Sequence, residues 1–167
     1  VSTVPYGSLV QVLREEEIFL AISMFHPYAL THPSGTPITA EEVKANFAGD
    51  SLLLSKKGAS LRMIGDQFFD SCGFEPVAVC ETNNISATRS MVAQNAGVAF
   101  ISESCSVNRN HIAYYPLSPA MKRLNLVVRQ KDWVLNEPEQ AFMDHILNYF
   151  KQNTEHPYLA EKYSISF

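Results

Sequence analysis

The sequence predicts an α/β protein built around a mainly parallel sheet, and two observations support this prediction. Short apolar stretches of the kind that form buried strands alternate along the chain with stretches of helical spacing. The turns between them contain glycine, proline, serine and asparagine, as expected where a strand passes into a helix. Because neighbouring parallel strands need a crossover that is usually helical, this alternation favours a layered α/β architecture.

Composition limits the classes of function. The 167 residues are 46% hydrophobic, enough for one domain or two small lobes with a buried core. The net charge of −4 argues against nucleic-acid binding by this chain alone, since such binding needs a cationic face. No apolar run approaches the length that spans a bilayer, and the start at Val1 has neither an initiator methionine nor a signal-peptide pattern. We therefore expect a fragment of a longer cytoplasmic protein without a membrane partner.

The first predicted elements are a strand, a loop and a short helix. Residues 16–23 (EEIFLAIS) have the composition of a buried strand, and the proline-rich segment 26–37 is predicted to be a loop. Thr39 and Glu42 have the spacing of a capping box, in which each side chain bonds the backbone of the other. This box predicts a helix that ends near Phe47.

The middle of the chain contains the strand–helix pattern twice. A strand at 51–55 precedes a helix for which Ser60 is the predicted N-cap. Gly65 inside that helix indicates close packing or local strain, because glycine costs a helix about 1 kcal/mol relative to alanine. A second strand at 76–81 precedes a predicted helix over 85–95.

Three further strands and one long helix complete the prediction. The strands are expected at 98–102, 112–118 and 123–130. Asn136 is the predicted N-cap of the last helix, with Glu139 three residues on. The helix is expected to bury an apolar stripe of four residues: Phe142, Ile146, Tyr149 and Phe150.

Two strand-to-helix junctions, 57–60 (KGAS) and 82–84 (TNN), are candidate ligand sites, and the second consists of three uncharged polar residues. In open α/β sheets, ligands bind beyond the carboxyl ends of the strands, where the first amides of a helix lack internal partners and favour anions. We expect both helix N-termini to face one crevice that receives a carboxylate, sulfate or other anion. Asparagine and serine are also the preferred caps whatever the function. However, Asn83 and Asn84 cannot both be the cap, so one of them has a spare amide.

Two arginines occupy unfavourable places in the predicted helices. Arg62 and Arg89 lie in the first or second turn, where the helix dipole does not favour a cation. They are candidates for pairing with a ligand or between two lobes, and the alternative interpretation is an ordinary solvent-facing position, which is the commoner case.

The cysteines do not indicate a metal site, a cofactor or a disulfide framework. Their odd number and the absence of a CxxC pair support this interpretation. Cys72 and Cys80 occupy apolar positions that are typical of core residues. Cys105 and His111 are the one thiol–imidazole pair in a loop, but no orienting acid is identifiable, so we do not expect an enzyme.

Three segments resemble the LysR-type transcriptional regulators. Residues 16–29 (EEIFLAISMFHPYA) are similar to a strand followed by a His-Pro sequence in that family. Residues 58–102 contain the similar series Gly-Phe-x-Pro, Met-Val-Ala and Gly-Val-Ala-Phe-Ile, and residues 123–146 resemble the closing strand and helix. The resemblance extends over residues 14–150 in the correct order.

The resemblance implies the effector-binding domain of the family, with a periplasmic-binding-protein-like (type 2) α/β fold. Two lobes joined by two crossover strands would enclose a small ligand. The first lobe would comprise 1–46 and 117–152, the second 47–116, and residues 153–167 would form a C-terminal tail. The first lobe would be incomplete, since its first strands and the DNA-binding domain of the family are missing. The proline that usually ends the strand at 98–102 is Ser102 here.

The resemblance also implies a function and a ligand site. Ser23 and Asn83 match ligand-contacting positions of the family, and their neighbourhood adds Ser60, Thr82 and Asn84 as expected ligand-binding residues. The implied protein senses a small-molecule effector, forms a homo-oligomer (dimer or tetramer) at full length, and contacts DNA only through an N-terminal domain absent here. The alternative is an extracytoplasmic solute-binding protein of a transporter, which shares the fold.

Overall fold

The structure is a computed structural model that describes residues 6–107 and 109–152. The chain divides into two compact units: unit 1 contains residues 16–123, and unit 2 contains the described parts of 2–15 and 124–167. The predicted tail, 153–167, lies outside the described residues. The boundaries of the two predicted lobes stay a prediction.

Seven strands and five helices occur in the described residues. The strands are β1 (Ser8–Ser23), β2 (Ile38–Thr39), β3 (Leu52–Leu54), β4 (Ala78–Glu81), β5 (Val98–Ser102), β6 (Ile112–Ser118) and β7 (Lys122–Gln130). The helices are α1 (Pro27–Thr31), α2 (Ala40–Phe47), α3 (Ser60–Cys72), α4 (Ile85–Ala93) and α5 (Glu137–Gln152). The sheet has the order β2-β6-β1-β5-β3-β4, and β7 also pairs with β1.

Strand direction in unit 1 is parallel with one exception. β3 is parallel to both β4 and β5, and β2 is parallel to β6. β1 lies between β5 and β6 and is antiparallel to both of them. The prediction of a mainly parallel sheet therefore holds for β2 to β6 and not for β1. The carboxyl ends of β3, β4 and β5 lie at one edge of the sheet, while β1 ends at the opposite edge.

The caps explain where most helices begin. The predicted capping box of α2 is confirmed, with Thr39 Oγ1 accepting from the N–H of Glu42 at 3.2 Å and Glu42 Oε2 accepting from the N–H of Thr39 at 2.8 Å. The segment predicted as a loop contains the short helix α1. His26 caps α1 by accepting the N–H of Tyr28 through Nδ1, and Pro27 takes the first helical position, which suits proline.

Two predicted helix ends need correction. Ser60 is not the N-cap of α3: Ala59 occupies that position without a side-chain bond, and Ser60 is the first helical residue. The helix predicted over 85–95 ends at Ala93. Asn95 beyond it has a φ of 58°, a left-handed conformation that a continuing helix does not use.

The core of unit 1 lies on both faces of the sheet. Alternation along the strands places Leu52, Leu54 and Phe100 in one apolar cluster, and Leu53 in another. Gly65 of α3 contacts the first cluster so closely that a Cβ there would lie 2.9 Å from Cδ2 of Phe100. Close packing is therefore the reason for this glycine.

In unit 2, the expectation that α5 buries an apolar stripe is wrong for the described residues. No residue of α5 is buried there, and Phe142 and Tyr149 are 65% and 56% exposed. The alternating apolar residues of β7 are also partly exposed, with Val128 at 42%. The predicted helix is therefore present, but its apolar stripe is not buried in the described residues.

Candidate functional site

A cleft of about 290 Å³ opens in unit 1 where β3, β4 and β5 end. We call it the polar cleft. Its lining combines apolar, hydroxyl, amide and guanidinium groups. The lining residues are Leu53, Ser55, Ala59, Ser60, Leu61, Thr82, Asn83, Ile85, Thr88, Phe100, Ser102, Cys105 and Arg123.

Three of the residues expected to bind a ligand line this cleft together. Ser60 is the first residue of α3, and Thr82 and Asn83 lie in the turn between β4 and α4. Parallel pairing of β3 with β4 places these two turns side by side at one edge of the sheet. The two junctions therefore share one crevice, although their contact with a ligand stays a prediction.

Asn83 and Asn84 have different bonding partners. Asn84 caps α4, because its Oδ1 accepts the N–H groups of Ser86 and Ala87, each at 3.1 Å. Asn83 accepts the N–H of Lys56 through Oδ1 at 2.9 Å, which leaves its NH₂ group as the donor for a ligand. Asn84 is not among the cleft-lining residues, so its geometry supports a cap rather than a ligand contact.

Ser23 lies away from the polar cleft. It ends β1 opposite Ile112 of β6, whereas Ser102 of β5, at the cleft, pairs with Ile18, five residues earlier in β1. Its side chain is 1% exposed and accepts the N–H of Phe25 at 3.2 Å. Because β1 runs against its neighbours, its carboxyl end lies at the opposite edge of the sheet from the polar cleft, and the ligand contact of Ser23 stays a prediction.

Arg62 is satisfied by protein groups. Its Nε lies 2.7 Å from Asp66 Oδ1, and its Nη1 lies 2.6 Å from Glu81 Oε1 and 3.1 Å from the carbonyl oxygen of Ser55. The hydrogen bond from Arg62 lowers the pKa of Glu81. Arg62 therefore joins α3 to the ends of β3 and β4 and does not line the cleft.

Arg89 donates from Nη1 to the carbonyl oxygen of Cys105 at 3.1 Å and from Nη2 to Ser86 Oγ at 3.4 Å. It is not among the residues that line the polar cleft. Its contacts tie α4 to the segment after β5. Neither arginine that the sequence marked as a ligand candidate is therefore placed at the cleft surface.

Arg123 is a cleft residue that sequence reasoning missed. Its Nη2 donates to Ser102 Oγ at 3.0 Å and lies 3.4 Å from Oε1 of Glu16. The other oxygen of Glu16 accepts from Ser104 Oγ at 2.6 Å, and Glu16 is 2% exposed. The one local signal was Ser102, which stands where the resembled family usually has proline.

The described residues contain no group of three or more His, Cys, Asp or Glu side chains that could hold a metal ion. All three cysteines are free thiols, and Cys105 lines the cleft. Burial raises the pKa of the Cys72 thiol, which disfavours its reactive thiolate. Among the described helices, none is long and apolar enough to cross a membrane.

Comparison with known proteins identifies relatives. A family model described as the LysR substrate binding domain matches residues 5–151. The chain is 25% identical over 141 residues to YybE, an uncharacterized HTH-type transcriptional regulator of Bacillus subtilis (strain 168). That match covers 84% of this chain and 46% of YybE, so this chain spans about half the length of its relative.

Solved structures with the same fold support the comparison. The CcmR regulatory domain of Synechocystis PCC6803, in complex with 2-PG, matches with a TM-score of 0.72 and 19% identity over 92% of this chain and 73% of that one. The effector binding domain of QuiR, in complex with shikimate, matches with a TM-score of 0.68 and 16% identity over 88% of this chain and 67% of that one. The predicted α/β fold of the periplasmic-binding-protein-like (type 2) class is confirmed.

Proposed function

We propose, from the premise that this chain belongs to the LysR substrate-binding-domain family, that it is the effector-sensing part of a cytoplasmic DNA-binding transcriptional regulator. The likeness to YybE supports a regulator rather than the solute-binding protein of a transporter. In this proposal, an N-terminal domain outside the chain contacts DNA, and the full-length protein is a homo-oligomer, a dimer or tetramer. The chain senses a small molecule and performs no catalysis.

One observation carries the proposal: Ser60, Thr82 and Asn83 come from two separate strand-to-helix junctions and line one cleft. A cleft that joins apolar walls with a few convergent polar groups is the usual form of a small-molecule site. Effectors are named for the CcmR and QuiR domains that share this fold, 2-PG and shikimate. A small polar molecule is therefore the class of effector that suits the cleft.

The bonding of the cleft residues defines what each would do for the effector. Thr82 Oγ1 accepts the N–H of Asn84 at 3.1 Å, so its hydroxyl proton remains for a ligand acceptor. The NH₂ group of Asn83 is likewise a donor, because its oxygen is bonded to Lys56. Ser60 offers an exposed hydroxyl at the first position of α3, beside backbone amides without helical partners. The site therefore presents mainly donors, and the effector supplies acceptors.

Sensing requires that the effector bind two states of the regulator unequally. A ligand shifts an equilibrium only by its difference in affinity between the states. The Thr82 and Asn83 donors are held in place by hydrogen bonds to backbone groups of the two junctions. Their geometry depends on both junctions, so two states that differ there would differ in affinity for the effector. The proposed signal is thus a change in how the two junctions are held.

The test is an NMR titration of the ¹⁵N-labelled chain with shikimate and other small hydroxylated compounds. We expect a binding compound to shift the amide signals of Ser60 and Thr82, and Asn83→Ala to weaken its binding by about tenfold. The matched control is Asn46→Ala, since Asn46 bonds the carbonyl of Glu42 at 2.8 Å outside the cleft. Binding that maps away from the cleft, or equal loss in both variants, would overturn the site.

A further inference from the structure

We infer that the effector carries a carboxylate and that Arg123 is the residue that anchors it, an inference that rests on the proposed function. Thirteen residues line the polar cleft, and Arg123 is the only one among them with a full charge. The N-terminus of α3, whose N-cap Ala59 makes no side-chain hydrogen bond, adds partial positive charge at the same place. The electrostatic character of the cleft surface is therefore positive.

The donors of Arg123 are incompletely used. A guanidinium group has five N–H donors in a planar fork. In the described part of the chain, Nη2 contacts Ser102 and Glu16, and the buried Nε has no hydrogen-bond partner. Buried polar groups are normally hydrogen-bonded. The unpartnered Nε therefore shows that Arg123 does not use its full capacity to donate hydrogen bonds. A carboxylate matches the fork through two parallel hydrogen bonds.

Glu16 does not cancel this charge at the cleft surface. Its oxygen lies 3.4 Å from Arg123 Nη2, longer than the roughly 2.7–2.9 Å of a strong charge-assisted bond. Glu16 is also absent from the cleft lining and is 2% exposed, whereas the Arg123 side chain is 26% exposed. The pair thus directs its cation toward the cleft and its carboxylate toward the interior.

The rest of the cleft defines the body of the acid. Leu53, Leu61 and Phe100 offer apolar contact, while Thr82 and Asn83 offer neutral donors. A single guanidinium suits one carboxylate better than a multiply charged ion. The class of effector is therefore a small monocarboxylic acid with a compact body that is apolar or bears hydroxyl groups.

The experiment compares acids with their uncharged amides. The 167-residue chain is titrated with acetate, acetamide, benzoate and benzamide, and binding is followed through the ¹⁵N amide signals of the cleft residues. We expect each acid to bind at least about tenfold more tightly than its amide. Arg123→Gln should abolish this preference and leave the amides unaffected. Arg109→Gln is the control, since Arg109 is exposed and does not line the cleft.

A second variant keeps the test decisive if loss of Arg123 alone unfolds the chain. Glu16→Gln combined with Arg123→Gln removes both charges and leaves no unpaired buried carboxylate. It should fold and show no preference for acids. Acid preference that survives in this variant, or a cleft that binds the amides and ignores the acids, would overturn the inference while leaving the sensor proposal intact. A cleft that ignores all four probes, together with every compound of the first titration, would overturn both.

Discussion

The side chain of Asn83 accepts a hydrogen bond from the backbone N–H of Lys56 at 2.9 Å, although 27 positions separate them in sequence. Next to it, the N–H of Thr82 donates to the carbonyl oxygen of Leu54, also at 2.9 Å. The turn after β3 and the turn after β4 are thereby held together by one side chain and one backbone bond. The relative position of the two junctions thus depends directly on Asn83.

Replacing Asn83 should loosen the turn after β3. In Asn83→Ala the N–H of Lys56 loses its acceptor, so its hydrogen exchange should accelerate and the free energy of unfolding should fall by about 1 kcal/mol. Asn83→Asp retains an acceptor and should keep the protection of Lys56. Exchange measured by NMR checks both expectations. Equal protection of Lys56 in wild type and Asn83→Ala would contradict this role.

Gly65→Ala should destabilise the chain although alanine is the better helix former. The new methyl group would lie 2.9 Å from Cδ2 and 3.3 Å from Cε2 of Phe100, an overlap that forces neighbours to move. Overpacking costs about 1–3 kcal/mol, which exceeds the gain in helix propensity of about 1 kcal/mol. We expect a net loss of about 1 kcal/mol in urea denaturation.

Two variants test whether overlap with Phe100 causes the loss of stability in Gly65→Ala. Phe100→Leu in the Gly65→Ala background should recover part of the loss, because the smaller side chain vacates the overlap. Gly49→Ala is the matched control, since a Cβ at Gly49 has nothing within 4 Å. An equal loss at both glycines would point to backbone effects instead of contact with Phe100.

The Arg62–Glu81 pair should contribute stability that depends on pH. The hydrogen bond and charge of Arg62 lower the pKa of Glu81 from 4.5 in the folded state. A depressed folded pKa stabilises the protein above the unfolded pKa, and this stabilisation is lost as the pH falls through the folded value. Glu81→Gln should therefore melt at a lower temperature than wild type at pH 7 and lose that difference in acid.

Glu75→Gln is the reference for this measurement. Glu75 is exposed, and this substitution also removes one carboxylate. Thermal melts followed by circular dichroism between pH 7 and the acid limit of folding give the comparison. A Glu81→Gln melting temperature that tracks wild type at every pH would remove the pair as a source of stability.

Tyr115 should make stability fall at high pH. Its hydroxyl donates to the carbonyl oxygen of His32 at 2.7 Å, and burial raises the pKa of this fully buried phenol, with the charge of Tyr28 adding to the effect. A raised folded pKa gives stability that is complete below the unfolded pKa of about 10 and is lost as the pH rises through the folded value. Tyr115→Phe should be less stable at pH 7 by about 1 kcal/mol and decline less in alkali.

Tyr6→Phe serves as the control for alkaline unfolding, since Tyr6 is fully exposed. Urea denaturation at pH 7 measures the loss of the hydrogen bond, and urea denaturation above pH 10 adds the effect of deprotonating the phenol. If Tyr115→Phe declined with pH as steeply as wild type, the alkaline loss would belong to other groups, among them Tyr114, whose pKa burial also raises.

Features of the fold that depend on neighbouring residues could be predicted from sequence. The box at Thr39 and Glu42 and the reciprocal bonds of Asn136 with Glu139 span three residues, and both are present in the structure. The order of strands and helices follows from apolar periodicity in the same way. Ser60 was misplaced by one position because a serine near a helix start has similar propensity as a cap or as a first residue.

Features of the site that depend on pairing across the sheet could not be predicted. Glu16 and Arg123 are separated by 107 positions, and no periodic pattern connects them. Ser23 was expected at the site because it matches a ligand-contacting position of the resembled family, and only the register of β1 with Ile112 shows that this strand ends away from the polar cleft. The shared crevice of Ser60 and Asn83 was predictable because both junctions follow strands of the same direction.

Glu16 and Arg123 occupy the two places where the backbone leaves unit 1 for unit 2. Each is a single peptide bond away from the other unit, and the two side chains are in contact with each other. A molecule that binds the Arg123 guanidinium would thus act within one residue of both connections.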